Sequence, residues 1–190
     1  MGRRDALTVG HSTHSLEAFV GLLSGHGVEA LADVRQHPGS RRMPHVSRES
    51  LERELPIPYV HLPELGGRRR PRPDSPNSGW EVEAFRGYAD HMGSDEFAAG
   101  LRRLEALAGE RRTAIMCAEG LWWRCHRRLV ADALTVRGWR VLHVAPDGRA
   151  TEHALPDFAV VADGRLSYPP AQGELLERRA GAGRSRSPRG

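Results

Sequence analysis

The amino-acid sequence predicts a single-domain α/β fold, in which helices cover both faces of a mainly parallel, open sheet in the doubly wound, three-layer arrangement. Two observations predict it. Short apolar runs typical of buried strands alternate with longer segments that repeat apolar residues at helical spacing. A chain of 190 residues also has the length of about one domain. Strands that alternate with helices form parallel sheets, because each helix returns the chain along a face of the sheet.

The predicted elements account for most of the chain. Strands are expected at residues 7–10, 29–33, 59–62, 113–117 and 140–144, and helices at residues 16–24, 48–55, 82–92, 95–108 and 124–138. Ser15 and Ser47 are typical N-caps for the first two helices, because a serine hydroxyl accepts a hydrogen bond from a free amide of the first turn. Gly138 suits the end of the last helix.

Two segments fall outside this alternation. Residues 66–79 are too rich in glycine, proline and charge for a helix or strand, so a long loop or lid is expected there. Residues 171–190 consist mainly of glycine, alanine, serine and arginine, which cannot bury enough apolar surface to fold. We therefore predict one α/β domain at residues 1–170 and a disordered basic tail at residues 171–190.

The positive charge of the chain is concentrated in that tail. The formal net charge is +4, and the five arginines and two glutamates of residues 171–190 supply +3 of it. Every basic side chain is arginine, which excludes a lysine Schiff base and favours two-point recognition of carboxylate or phosphate. A biased genomic base composition is an alternative explanation for the missing lysine.

The cysteines and the apolar runs bear on the cellular compartment. The chain has two cysteines, eight positions apart, and its first residues lead directly into a predicted strand. This pattern indicates neither a disulfide scaffold nor a signal peptide, and no apolar run has transmembrane length. We expect a cytoplasmic protein without a membrane partner, and the sequence leaves its oligomeric state open.

Reactive side chains follow four of the predicted strands. If the strands are parallel, their carboxyl ends meet at one edge of the sheet, where ligands bind in open α/β folds. The side chains that follow the strands in chain order are His11 and Ser12, Asp33 and Arg35, His61 and Glu64, and Cys117 and Glu119. The sequence therefore predicts a shared site at this edge.

Cys117 is the candidate nucleophile of this site. A thiol at a helix N-terminus, beside Arg124 and a histidine, is expected to have a lowered pKa. The alternative is a buried, unreactive thiol at the end of a strand. Cys125 is expected to be a core or supporting thiol.

Carboxylates and histidines are the candidates for proton transfer. Glu119, Glu64 and Asp33 can act as general acid or base if their surroundings separate their pKa values, or they can simply pair with arginines. His61 and His11 can move protons, or each can be a core histidine bonded to the backbone.

Further side chains are candidates for binding the substrate. Loop arginines such as Arg41 and Arg68 can hold phosphate, or can only keep the surface polar. Trp122 can stack on a flat group or cover the cleft as part of a lid. The complete candidate set for substrate or anion binding is Ser12, Asp33, Arg35, Arg41, Glu64, Trp122, Arg124, His126 and Arg127.

Metal binding is not indicated by spacing. Suitable ligand types are present at His11, His14, His61, Cys117, Cys125 and His126. Zinc fingers use closely spaced ligand pairs, and this chain has no matching cysteine pair. We therefore predict no cofactor and no metal ligands, although the available ligand types leave a metal site open.

Several ordered motifs resemble a known family. They are TVGHST at 8–13, ADVR at 32–35 with PGSR at 38–41, YVHLPELGG at 59–67, FRGY at 85–88, and MCAE at 116–119 with RCHR at 124–127. The chain resembles, over about residues 7–145, the bacterial family catalogued as domain of unknown function 488. This resemblance places family motifs on His11, Ser12, Asp33, Arg35, His61, Glu64, Cys117, Glu119, Arg124, Cys125, His126 and Arg127.

Two hypotheses for function follow. The first is an enzyme, a thiolate- or carboxylate-dependent transferase or hydrolase, that acts on a small anionic or nucleotide-like substrate. In it Cys117 or Glu119 attacks or deprotonates the substrate, Arg35 and Arg124 hold the anion, and a histidine moves protons. The alternative is a nucleic-acid-binding accessory protein, in line with the DNA-repair label that some members of the family carry. The low charge of the domain argues against this alternative.

Overall fold

A computed structural model describes residues 4–39 and 41–170 of the chain. It contains a six-stranded sheet in the order β3-β2-β4-β1-β5-β6 and a separate two-stranded hairpin, β7-β8. The strands are β1 (Asp5–Gly10), β2 (Ala30–Asp33), β3 (Tyr59–His61), β4 (Thr113–Cys117), β5 (Arg140–Val144), β6 (Ala150–Glu152), β7 (Val160–Ala162) and β8 (Arg165–Ser167). The α-helices are α1 (Leu16–Gly25), α2 (Arg48–Glu54), α3 (Glu83–His91), α4 (Asp95–Glu110) and α5 (Arg127–Val136).

The predicted fold class is confirmed. Strands β1 to β5 pair in parallel, and only β6 joins the sheet antiparallel to its neighbour β5. The five predicted strands and five predicted helices are present within a few residues of their expected bounds. Strand β6 and the β7-β8 hairpin were not predicted, because three-residue strands are too short to show an alternating pattern.

Helices cover both faces of the sheet, as predicted. Neighbouring residues of one strand point to opposite faces, so Leu7 and Ala6 belong to different hydrophobic clusters. On the face of Leu7, the core is closed by α1 and α2 through Phe19, Leu23 and Leu51. On the face of Ala6, it is closed by helices α3, α4 and α5, which contribute Tyr88, Ala89, Phe97, Leu101, Leu104, Leu129, Val130 and Leu134.

Local interactions set where the helices begin. The side chain of Ser15 accepts a hydrogen bond from the amide of Ala18, and Ser47 accepts one from Ser50, which confirms both predicted N-caps. Helix α5 starts at Arg127, three residues later than the predicted start, because residues 122–124 form a separate 3-10 turn. Cys125 and His126 therefore lie just before the helix.

The segment at residues 66–79 is irregular, as predicted, and is held by Asp90 of α3. The Asp90 carboxylate accepts hydrogen bonds from the amide of Arg72 (2.8 Å), the hydroxyl of Ser75 (2.6 Å) and the side-chain amide of Asn77 (2.8 Å). The predicted tail at residues 171–190 lies outside the described residues. In the described part of the chain, no helix has the length and apolar character needed to cross a membrane.

The sheet has a switch point between β1 and β4. These strands are neighbours, but the chain leaves β1 toward α1 on one face and leaves β4 toward α5 on the other. Such a divergence opens a crevice at the carboxyl ends of the two strands, which is where α/β folds of this kind bind ligands.

Candidate active site

A pocket of about 380 Å³ lies at this crevice. Its walls come from the carboxyl ends of β1, β2 and β4, from the 66–79 loop and from the residue before α5. The lining residues are His11, Arg35, Gln36, His37, Gly39, Gly67, Arg68, Cys117, Ala118 and His126. Four of the residues predicted for the site, namely His11, Arg35, Cys117 and His126, therefore meet in one cavity.

His11 is positioned by continued pairing of the chain beyond β1 and β4. Its amide donates to the carbonyl of Cys117 (3.0 Å), and the amide of Ser12 donates to the carbonyl of Ala118 (3.1 Å). Gly10 makes this close approach possible, since a Cβ atom there would lie 2.0 Å from the carbonyl oxygen of Glu119. Ser12 adopts a left-handed conformation with φ of 47°.

The imidazole of His11 is neutral near pH 7. Burial, followed by the charge of Arg35, lowers the pKa of His11 to about 4. Its Nδ1 donates to the carbonyl of Ser12 (3.0 Å), so Nε2 carries the lone pair and lies 3.4 Å from Nη1 of Arg35. His11 therefore presents a proton-accepting nitrogen beside a guanidinium group.

Arg35 is held by the fully buried carboxylate of Asp33. Asp33 accepts from Nε of Arg35 at 2.9 Å, from the amide of Arg35 at 3.0 Å and from the hydroxyl of Tyr59 at 2.6 Å. Burial lowers the Arg35 pKa, but the hydrogen bonds and charge of Asp33 outweigh it, and the pKa is raised. Asp33 thus serves as the arginine's partner, which was the alternative to a role as general base.

His61 supports the same arginine from the neighbouring strand. Its Nε2 donates to the carbonyl oxygen of Arg35 at 2.9 Å. This is the backbone-bonded arrangement that the sequence left as the alternative to proton transfer, and His61 does not line the pocket.

Two sulfur atoms and one nitrogen atom converge at the wall of the pocket. Nδ1 of His126 lies 4.0 Å from Sγ of Cys117 and 3.7 Å from Sγ of Cys125, and all three atoms are within 4.8 Å of one another. We call these three residues the thiol cluster. Cys117 and His126 face the pocket, whereas Cys125 lies behind them and is only 4% exposed.

Contacts on the far side of its ring fix the orientation of His126. Nε2 of His126 donates to the carbonyl oxygen of Val34 (3.2 Å), which leaves the lone pair of Nδ1 directed at the two sulfurs. Gly67 packs against the ring so closely that a Cβ atom there would lie 2.7 Å from Nδ1. The imidazole can therefore turn only at the cost of these contacts.

The pKa values of the two thiols are shifted in opposite directions. The pKa of Cys125 is lowered by a hydrogen bond from Cys117, against the effect of burial, and is lowered further by His126 and Arg127. The same hydrogen bond, together with burial, raises the pKa of Cys117. The sequence predicted a lowered pKa for Cys117 beside Arg124, but Arg124 is exposed and the guanidinium near the sulfurs belongs to Arg127.

Arg127 is fully buried behind the thiol cluster. Its Nε donates to Sγ of Cys125 (3.4 Å), its Nη1 to Oγ1 of Thr8 (3.3 Å), and its Nη2 to the carbonyl oxygen of Glu119. Among the described residues, no carboxylate is close enough to form an ion pair with it. Its guanidinium positions the sulfur of Cys125 and does not reach the pocket.

A chain of hydrogen bonds leads from Arg127 to a distant buried carboxylate. Thr8 donates to Nδ1 of His143 (2.7 Å), Nε2 of His143 donates to Nδ1 of His153 (2.9 Å), and Nε2 of His153 donates to Asp132 (2.6 Å). These directions follow because a guanidinium only donates and a carboxylate only accepts. Burial, and then the charges of His153 and Arg127, lower the pKa of His143 to about 3, which keeps its ring neutral.

The sequence did not predict this hydrogen-bond chain, because its members lie in the interior of the sheet. Thr8 and His143 are neighbours across β1 and β5, and His153 follows the unpredicted strand β6. Tyr168, which follows the unpredicted hairpin, donates to the other oxygen of Asp132 at 2.6 Å. The available signal was a histidine within the otherwise apolar run of β5.

The remaining predicted site residues lie elsewhere. Glu64 pairs with Arg103 of α4, and Oε1 of Glu119 accepts a hydrogen bond from the amide of Leu121 (3.1 Å). Arg41 is exposed and does not line the pocket. The indole of Trp122 stacks on His143 at a centroid distance of 3.9 Å, so one of its faces is already covered.

Arg68 and Gln36 also line the pocket, although neither was in the candidate set for the site. Arg68 belongs to the predicted loop and has a left-handed backbone with φ of 62°. It is exposed, and within the described part of the chain it forms no ion pair. Gln36 follows Arg35 directly and had no distinguishing sequence signal.

Comparison with known proteins identifies the family. Neither a curated protein nor a solved structure matches the chain. The family model described as "Domain of unknown function DUF488" matches residues 15–134, which include the thiol cluster, Arg35 and Arg68 but not His11. Because this match spans more than half of the chain, the chain belongs to the DUF488 family.

Proposed function

We propose that the protein is an enzyme that acts on a small anionic or nucleotide-like substrate in the pocket between Arg35 and the thiol cluster. One observation carries the proposal: a single cavity of about 380 Å³ is lined by Arg35 and Arg68, which can bind an anion, and by Cys117 and His126, a thiol and an imidazole. This volume lies within the range of roughly 300–1,000 Å³ that is typical of small-molecule sites. We call the two arginines the anion-binding end of the pocket, and Cys117 with His126 its reactive end.

The anion-binding end is formed by Arg35 and Arg68. Much of the charge of Arg35 is matched by Asp33, which accepts from two of its side-chain nitrogens. Arg68 has no such partner among the described residues, so its guanidinium is available to an anion. Guanidinium groups bind carboxylate and phosphate through two parallel hydrogen bonds, and this supports an anionic substrate.

The reactive end is formed by Cys117 and His126. The three candidate carboxylates do not line the pocket, since Asp33 is paired with Arg35, Glu64 with Arg103, and Glu119 with its own loop. A thiol-dependent reaction is therefore better supported than a carboxylate-dependent one. Neutral His11 lines the same cavity, where its Nε2 accepts a hydrogen bond from Nη1 of Arg35 and so helps to hold the guanidinium beside the substrate.

The anion-binding end is tested with Arg68→Gln and the matched control Arg70→Gln, an exposed arginine of the same loop that does not line the pocket. Binding of inorganic phosphate and of adenosine monophosphate is measured by isothermal titration calorimetry. We expect Arg68→Gln to weaken binding about tenfold, equal to about 1.4 kcal/mol, and Arg70→Gln to leave it unchanged. Equal binding by both variants, or no saturable binding by the wild-type protein, would reject the proposal.

The reactive end is tested with Cys117→Ser. A mixture of small phosphate and carboxylate compounds is incubated with wild-type and variant protein, and loss of each compound is followed by mass spectrometry. The expected result is turnover of at least one compound by the wild-type protein and none by the variant, which still binds phosphate. Turnover by Cys117→Ser at the wild-type rate would contradict the role assigned to this thiol.

The alternative of a nucleic-acid-binding protein has less support. Stacking on an unpaired base was assigned to Trp122, but His143 already stacks on this indole. Arg124 and Arg41 are exposed and lie outside the pocket.

A further inference from the structure

We propose that Cys117, Cys125 and His126 form a binding site for one soft divalent metal ion, with zinc as the best-fitting ion. The role of the metal in the pocket rests on the proposed function. The metal site itself does not, because it is inferred from the geometry of the ligands. This proposal differs from the prediction made from the sequence, because the spacing of these residues indicated no metal ligands.

The distances between the ligand atoms fit tetrahedral zinc. Zinc bonds of about 2.3 Å to sulfur and about 2.0 Å to nitrogen place neighbouring tetrahedral ligands about 3.5–3.8 Å apart. Nδ1 of His126 lies 3.7 Å from one sulfur and 4.0 Å from the other, and all three atoms lie within 4.8 Å of one another. Movements of a few tenths of an ångström bring Nδ1 of His126 to the expected spacing from each sulfur.

The orientation of His126 is the one that a metal-binding histidine needs. Ligating histidines usually donate their second ring nitrogen to a carbonyl or carboxylate, which directs the first nitrogen at the metal. Nε2 of His126 donates to the carbonyl of Val34, and the lone pair of Nδ1 is directed at the two sulfurs. Gly67 packs against the ring and holds it in this orientation.

The charges around the cluster also suit a metal held by two thiolates. Two thiolates neutralise a divalent cation, and the guanidinium of Arg127 donates to Sγ of Cys125. This contact stabilises sulfur in its anionic form. The charge of Arg127 is in turn linked to the carboxylate of Asp132 through the buried hydrogen-bond chain. The buried region therefore holds balanced charges when the metal is bound.

Three protein ligands leave one position of a tetrahedral ion for water or substrate, which is the pattern of catalytic zinc sites. Cys117 and His126 both line the pocket, so an ion between them is reached from the substrate side. A zinc ion in such a position supplies Lewis acidity toward an anionic oxygen or activates a bound water. The metal would thus provide the chemistry of the reactive end of the pocket.

The spacing of the ligands explains why the sequence did not predict this site. Cys117 ends β4, while Cys125 and His126 follow a seven-residue connection that contains the 3-10 turn at Trp122–Arg124. The fold brings these segments together because α5 packs back against the face of the sheet next to β4.

The experiment uses the full-length protein, purified with a reductant and without chelators. Metal content is measured by inductively coupled plasma mass spectrometry. The metal is then removed with a chelator, and Co²⁺ is added while thiolate-to-cobalt charge-transfer absorption is recorded. The same measurements are made on Cys125→Ser, His126→Gln and the control His14→Gln, a histidine near the pocket that is not part of the cluster.

We expect one zinc per chain and a charge-transfer band in the wild-type protein and in His14→Gln. Affinity should fall at least a hundredfold in Cys125→Ser and His126→Gln. Wild-type protein with free, reduced thiols that binds neither zinc nor cobalt would overturn the proposal, and so would undiminished binding by both cluster variants. The wild-type result decides the matter even if a variant fails to fold.

Phosphate binding, measured in parallel on the metal-loaded and metal-free protein, separates this proposal from the proposed function. Phosphate binding without metal binding would overturn the metal site alone. Metal binding without any phosphate binding that depends on Arg68 would overturn the proposed substrate class alone.

Discussion

Arg127 and Asp132 are both fully buried and are linked without touching, through the side chains of Thr8, His143 and His153. Each of these hydrogen bonds has its donor on the Arg127 side. Arg127 and Asp132, at the two ends of the hydrogen-bond chain, therefore depend on each other. The guanidinium at one end contacts the sulfur of Cys125. Residues far from the pocket thereby position the thiol cluster.

Asp132→Asn should destabilise the protein strongly. The substitution keeps the shape of the side chain but leaves Arg127 without a compensating charge, and it disrupts the bonds from His153 and Tyr168. Each buried hydrogen-bonding group that is left unsatisfied costs about 1–3 kcal/mol. Urea unfolding measures this loss, with the exposed Asp157→Asn as control. A difference of less than about 1 kcal/mol between the two variants would show that the buried chain contributes little to stability.

Stability should fall as the pH is lowered from about 6.5, because burial lowers the pKa of His11, His91 and His143 in the folded protein. The pKa of His143 is lowered to about 3 and that of His11 to about 4, both below the ordinary value of 6.5. At pH values between each lowered pKa and 6.5, the unfolded chain binds more protons than the folded one. The free energy of unfolding therefore falls by up to about 1.4 kcal/mol per pH unit for each histidine.

Unfolding measured by urea at pH 7, 6, 5 and 4 checks this dependence. The variant His143→Asn removes one of these titrating histidines. Its free energy of unfolding, plotted against pH, should therefore have a smaller slope below pH 6 than that of the wild-type protein. Parallel curves for the two proteins would show that His143 does not resist protonation.

Gly67→Ala should disturb the thiol cluster. The added Cβ would lie 2.7 Å from Nδ1 of His126, which cannot retreat without losing its bond to Val34. Gly21→Ala in α1 is the control, because nothing lies within 4 Å of its Cβ. The free energy of unfolding of this control variant should rise by about 0.5–1 kcal/mol, because alanine is a better helix former than glycine.

The readout for Gly67→Ala is the cobalt charge-transfer band together with the free energy of unfolding. We expect the band to be lost or displaced in Gly67→Ala and unchanged in Gly21→Ala. An unchanged band in Gly67→Ala would show that the histidine ring is less constrained than its contacts indicate.

Tyr59→Phe should weaken the anion-binding end of the pocket. The lost hydroxyl donates to Asp33 at 2.6 Å, and burial, followed by this carboxylate, raises the pKa of Tyr59. Without that donor, the carboxylate draws the guanidinium of Arg35 closer and neutralises more of its charge. Phosphate affinity should fall about threefold by calorimetry; Tyr168→Phe, whose hydroxyl binds Asp132, should leave it unchanged. Equal losses in both variants would contradict this explanation.

The sequence predicted the location of the site better than its chemistry. The rule that parallel strands end at one edge brought His11, Arg35 and Cys117 together, and the structure places all three in the pocket. The rule could not give the direction of each side chain. Glu64 lies in a 3-10 turn and is directed toward Arg103 of α4. Helix α5 starts three residues later than predicted, and Arg127 takes the place beside the thiols that was predicted for Arg124.

The buried hydrogen-bond chain was beyond prediction for a different reason. It depends on contacts between segments far apart in the sequence, such as Thr8 with His143. Spacing along the sequence carries no information about these contacts. His153 and Tyr168 follow strands of three residues, which leave no periodic signal.

The most direct test is whether phosphate protects Cys117 from alkylation. The wild-type protein, freed of metal with a chelator, is treated with iodoacetamide at increasing concentrations of inorganic phosphate, and the modification of Cys117 is quantified by peptide mass spectrometry. If the arginines and the thiol line one substrate pocket, phosphate should slow the modification of Cys117 in a saturable way, and Arg68→Gln should need about ten times more phosphate. An alkylation rate that does not change with phosphate would contradict a shared active site.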